Sequence, residues 1–120
     1  MNNYILEKRT TEIIAYNIDC THILDTLEVI TSITSITSDQ TGLVFQGQAI
    51  NSVPVVFPDG VTADIGKVIS VHISAGTIPT GAINQIYTIR PIFVTSEGNT
   101  RESTVLLNVT NIPFQQGRVI

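Results

Sequence analysis

The 120-residue chain has no tryptophan, one methionine and one cysteine. A lone cysteine, Cys20, excludes an internal disulfide, and with it the inter-sheet bridge of antibody domains. With no Trp and only three Tyr and four Phe, the aromatic faces that carbohydrate sites stack on are scarce. Charge is scarce as well, at 13% of residues against a usual share of about 25%. Ten acidic residues against six basic ones leave a net charge of −4, which argues against a basic phosphate-binding face and a nucleic-acid partner. No apolar run approaches the ~18 residues of a membrane helix, so no membrane partner is expected. The start, MNNYILEKRTTE, lacks the basic-then-apolar pattern of a secretory signal, which predicts folding in a cytoplasm.

What is abundant is β-branched. Ile and Val number 31, and Ser and Thr another 24. Such side chains fit a pleated surface and lose rotamer freedom in a helix, so the composition predicts an all-β domain with uncharged polar faces. The length fits one domain with a self-supporting core. A surface this poor in charge predicts partial coverage by partners.

Along the chain, residues 1–12 read as an N-terminal arm or edge strand. Glu12 to Asp19 alternates at Ile14, Tyr16 and Ile18, as a first strand does. Cys20 to Thr26 reads as a short irregular or helical turn. Leu27 to Ser38 repeats Thr-Ser-Ile with period three, matching neither strand nor helix. Every residue from Val29 to Thr37 is Ser or β-branched, so an extended strand is expected. On period two Ile30 and Ile36 share a face and Ile33 lies opposite, unless a bulge intervenes. Gly42–Gln48 and Val53–Phe57 are short apolar runs, and Pro54 suggests an edge position. Pro58-Asp59-Gly60 signals a turn. Lys67 to Ala75 alternates, with Ile69, Val71 and Ile73 toward a core and Ser70, His72 and Ser74 toward water. After a loop with Gly76, Pro79 and Gly81, the run from Ile86 to Thr95 puts Tyr87, Ile89 and Phe93 on one face. Pro91 conflicts with a central position there, unless the ladder is bulged or unpaired. Ser96 to Asn99 reads as a tight turn with Gly98 in the left-handed region, leading to a closing strand, Glu102–Val109, with Val105, Leu107 and Val109 inward.

Candidate chemistry is thin. Asp19, Cys20, His22 and Asp25 are close in sequence, but Cys-x-His is not a zinc spacing, and a turn with a buried thiol is the better reading. His72 falls on a polar strand face. Asp39, Asp59 and Asp64 lack a calcium-loop pattern. No Gly-x-Ser-x-Gly, His-Glu-x-x-His or phosphate-loop motif occurs, so neither enzymatic activity nor a cofactor is expected. Apolar residues at the two ends, Tyr4, Ile5, Leu6, Phe114, Val119 and Ile120, together with Arg118, are the candidate partner-binding residues.

Tyr87, opening the penultimate strand after a corner containing Gly81, resembles a tyrosine corner, whose hydroxyl bonds upstream backbone. The wider pattern is VISVHISAGT, then Gly81, then YTIR, TSEGNT and LLNV. It resembles small immunoglobulin-like structural proteins of tailed bacteriophages, and Ala15-Tyr16-Asn17-Ile18-Asp19 with Leu24 is similar to their opening strand. Where such proteins continue into a Trp-containing segment, this chain carries its Thr-Ser-Ile repeat. The resemblance implies an immunoglobulin-like β-sandwich of about seven antiparallel strands over 13–110, with extended N- and C-terminal arms at 1–12 and 111–120. Tyr87, Gly81 and Gly98 would be its structural residues. It further implies a non-enzymatic virion protein assembled in the host cytoplasm: a capsid cement or decoration protein that oligomerises and binds the major capsid protein through its arms. The alternative is a tail, neck or fibre-associated module. That module would grip a host surface or another tail protein through loops such as 39–52 or 76–85.

Overall fold

The computed structural model describes residues 5–111. Among them are ten β-strands, one 3-10 turn and no α-helix, so no helix there is long and apolar enough to cross a membrane. The strands are β1 (Ile5–Lys8), β2 (Ile14–Asp19), β3 (Ile30–Ser38), β4 (Leu43–Ile50), β5 (Val55–Val56), β6 (Thr62–Ala63), β7 (Val68–Ala75), β8 (Asn84–Thr95), β9 (Thr100–Glu102) and β10 (Val105–Thr110). The larger sheet runs β1-β10-β8-β3, with β9 also on β8. The smaller runs β2-β7-β4, and β5 and β6 form a separate hairpin. The chain is thus all-β, and its two main sheets are compatible with a β-sandwich. Seven strands make the main orders, three short ones are added, and β1 joins β10 in parallel rather than antiparallel pairing.

Both sheets contribute to one core. Ile18, Ile69, Val71 and Ile73 come from the smaller sheet. Ile30, Ile36, Tyr87, Ile89, Phe93, Leu107 and Val109 come from the larger. Each fully buried aliphatic or Phe side chain contributes roughly 1.5–3 kcal/mol. β7 buries Ile69, Val71 and Ile73 as its alternation predicts, and leaves His72 exposed. Val105, expected inward with Leu107 and Val109, is only partly buried.

The Thr-Ser-Ile repeat finds a physical account in β3. The pairing to β8 slips twice, between Ile30 and Ser32 and between Ile33 and Ser35. Ile30, Ile33 and Ile36 therefore oppose Thr95, Phe93 and Pro91, successive residues of one β8 face. Each three-residue repeat covers two residues of β8, and one bulge per repeat absorbs the third. All three isoleucines reach the core side: Ile30 and Ile36 are buried, and Ile33 packs against them half-buried. The extra Thr31 donates its hydroxyl to Val94 O at 3.1 Å.

Pro91 is accommodated by a change of partner. β8 pairs with β10 from Asn84 to Ile89 and with β9 from Ile92 to Val94. Pro91 falls in the gap, and its carbonyl accepts Ser103 N at 3.0 Å. The N and C=O of a strand residue point the same way, so the missing N–H faces the break between β9 and β10 and leaves no ladder bond unmade. The expected closing strand from Glu102 is accordingly two strands, β9 and β10, separated at Ser103 and Thr104.

Candidate functional site

Sequence reasoning treats charged side chains as solvated, and the structure departs from that most clearly at Lys8, Glu28 and Lys67, all buried. Glu28 is 0% exposed and closes the turn Asp25–Glu28 before β3. Glu28 N donates to Asp25 O at 3.0 Å, and Glu28 Oε1 accepts Asp25 N at 3.0 Å, so the turn is tied from both ends. The carboxylate reaches the far end of β8 and the strand beyond it. It accepts Thr95 Oγ1, Asn99 Nδ2 at 3.0 Å, Arg101 Nε at 3.1 Å and Arg101 Nη2 at 3.0 Å. The Arg101 guanidinium, aided by Thr95, Asp25 N and Asn99, holds Glu28 down at about 2 against an ordinary 4.5, despite burial acting the other way. The same pairing raises Arg101 further.

Lys67 serves the same turn from beneath. Its ammonium has three protons, and they go to Asp25 O at 3.0 Å, Thr26 O at 3.0 Å and Glu28 O at 2.8 Å. Gly66, just before it, has φ +80, and a Cβ there would lie 2.7 Å from Val29 Cβ. Its carbonyl accepts Ile30 N at 2.8 Å, starting β3. Only glycine fits this backbone and this approach.

Asp25, Glu28 and Glu97 place carboxylate oxygens within 4.8 Å of one another. The shared hydrogen bond with Asp25 is the foremost cause that raises Glu97 above its ordinary value. Arg101 already supplies the positive charge here, lying 3.8 Å from Asp25 and 3.0 Å from Glu28. With the Glu28 oxygens taken by these donors, the group works as a fastening between the 25–28 turn and the β8–β9 turn.

At the other end of β8, Tyr87 fastens a second loop. The side chain is 1% exposed. Its hydroxyl donates to Thr77 O at 3.0 Å and accepts Thr77 N at 2.9 Å, ten residues upstream. Gly98 has φ +80, and its N donates to Thr95 O at 2.9 Å. Gly81 has φ +86 in the same loop as Thr77.

The other candidate residues scatter. Cys20 is fully buried in the core, and burial, then the Asp19 charge, pushes its thiol up to about 12. Asp19 turns back to accept Thr21 N and Oγ1 at 3.0 and 2.6 Å, His22 is exposed, and Asp25 belongs to the Glu28 group. The structure therefore does not gather Asp19, Cys20, His22 and Asp25 into one centre. Asp39 and Asp59 cap backbone, at Thr88 N (2.8 Å) and Val61 N (3.0 Å). Among the candidate partner residues, Ile5 is 51% exposed and Leu6 packs against the core. Tyr4, Phe114, Arg118, Val119 and Ile120 lie outside the described residues. Beside β3 and β4 runs a groove of about 440 Å³, lined by Ile33, Thr34, Ser35, Gln48, Ala49 and Ile50.

Sequence reasoning missed Glu28, Lys67 and Lys8 because their partners are remote. Glu28 meets Arg101 across 73 positions, and Lys8 donates to Ala75 O across 67. No local signal announces such pairs. Neither the family models, the curated proteins nor the solved structures contain a match to this chain.

Proposed function

We propose that this chain is a non-enzymatic structural protein of a tailed-bacteriophage virion, an immunoglobulin-like sandwich that decorates or cements the capsid. It binds the major capsid protein through its two ends and acts as an oligomer. The supporting observation is the strand order β1-β10-β8-β3 over β2-β7-β4, with the Tyr87 hydroxyl bound to the Thr77 backbone. The partial orders β10-β8-β3 and β2-β7-β4, together with the corner, support an immunoglobulin-like Greek key, while the first strand lies beside the last instead of beside the second. The residues around Tyr87 are also those on which the phage resemblance rests.

Hydrogen–deuterium exchange on the free protein and on purified particles tests this reading. The expected result is slower exchange in the particle at residues 1–12 and 111–120. One observation favours the second reading, a tail, neck or fibre module that docks through loops. The β5–β6 hairpin displays Val53, Val56, Val61 and Ile65, each more than half exposed. Protection confined to this hairpin or to residues 39–52 or 76–85 overturns docking by the ends and establishes loop docking instead.

A further inference from the structure

The larger sheet has two edges, and only one is guarded. β1 is four residues long, carries the exposed Glu7, and is followed by Arg9. Short length and charge are the ordinary ways of blocking an edge. In the smaller sheet, the β4 edge is interrupted between Gln46 and Ala49, where Gly47 has φ +66. β3 is nine residues long with no charge and no proline, and among the described residues it pairs with β8 alone. Ile30 N is taken by Gly66 O at 2.8 Å, and beyond it the flank carries no guard. From Val29 to Pro58, of the chain's ten acidic and six basic residues, only Asp39 occurs, and its carboxylate is bound to Thr88 N.

We propose that β3 is a homodimer interface, pairing antiparallel with β3 of a second copy about a twofold axis at Ile33. The inference deepens the oligomeric part of the function proposed above and names its surface. Two features select a second copy as the occupant. The first is charge: a chain of net charge −4 meets its own copy at least cost along a flank that carries almost none. The second is the repeat. Reversed about Ile33, the segment ITSITSI sets Ile30 against Ile36, Ile33 against itself, Thr31 against Ser35 and Ser32 against Thr34. Apolar residues meet apolar residues and hydroxyls meet hydroxyls, which are favourable cross-strand pairs. A strand of strict two-residue alternation falls out of step at each repeat, as β8 does at Thr31 and Thr34. A copy of β3 carries the same three-residue period and stays in step. The pairing is isologous and closes at two chains. Ile33 and the adjoining groove lie at its centre.

Sedimentation velocity over a concentration series is the test, on the full chain and on Thr34→Lys. Thr34 is exposed, so the substitution leaves the core untouched while placing a lysine on the edge of each copy. The wild-type protein is expected to dimerise, and Thr34→Lys to weaken the dimer at least about tenfold. Ile33→Cys checks the register. Directly opposed residues have Cα atoms about 4.5–5.5 Å apart, within disulfide span, so oxidation joins two copies at this position. Cys20, fully buried, does not compete. A wild-type monomer throughout, an unweakened Thr34→Lys dimer, or a dimer that Ile33→Cys fails to cross-link each overturns the inference. So does protection of β3 only in particles, which gives the edge to a foreign strand. A β3-dependent dimer that is absent from particles sinks the capsid reading and leaves this one standing. Particles that bind a protein monomeric at every concentration do the reverse.

Discussion

The two ends of β8 do the same job with different chemistry. Near its start, Tyr87 ties the 76–85 loop with a neutral phenol that spends both its donor and its acceptor on one upstream residue, Thr77. At its end, Thr95 joins Asn99 and Arg101 around a buried carboxylate, Glu28. Both fastenings hold a connection against the sheet. The neutral one is indifferent to salt and to acid. The charged one gathers more elements, the 25–28 turn and the β8–β9 turn at once, but it depends on Glu28 staying ionised and on Arg101 staying beside it.

The largest expected effect comes from Glu28→Ala. It strands Arg101 and Asn99, frees the 25–28 turn, and should lower the melting temperature by roughly 10 °C or more, measured by circular dichroism. A change within about 2 °C would mean that Lys67 alone holds the turn. Tyr87→Phe follows. It keeps the buried ring but leaves Thr77 N and O without their partner, for a loss of about 1–3 kcal/mol in urea unfolding. If it costs more than Glu28→Ala, the ranking of the two ends is reversed.

The third effect separates them by pH. Glu28 ionises at about 2 in the folded chain and at its ordinary 4.5 when unfolded. Below 4.5 the unfolded chain takes up the proton first, so this stabilisation is complete above 4.5 and is lost as pH falls through about 2. Urea midpoints should drop across that window. Glu28→Gln should flatten the drop, and Tyr87→Phe should leave its slope unchanged. The smallest effect is expected at the exposed ion pair Arg90–Glu102, 3.4 Å apart with both side chains about half exposed. Glu102→Ala should cost less than about 1 kcal/mol and should be masked by salt. A larger loss would show that the β9 pairing depends on it.

Much of the fold was legible because a strand's face is a local property. The inward set of β7 and that of β8 at Tyr87, Ile89 and Phe93 follow from alternation alone. The Thr-Ser-Ile repeat was legible as extended chain, and its fit was not: the two bulges depend on β8 lying opposite. Pro91 looked like a conflict because the sequence does not show where β10 gives way to β9. The parallel β1–β10 pair was equally hidden, since it joins the first strand to the last.

The sequence by itself determined the class and the faces. Its 31 Ile and Val residues favour pleated sheet, and where they alternate, as at Ile69, Val71 and Ile73, they bury one face of it. It also announced Gly98, where the tight turn requires a left-handed backbone. Only the tertiary structure decided which charges are interior. Glu28, Lys67 and Lys8 read as surface residues in a chain this polar at its turns. Burying them costs several kcal/mol each unless every lone pair and proton finds a partner, and most of those partners lie on turns and strands far along the chain, brought within reach only once the sheets have formed.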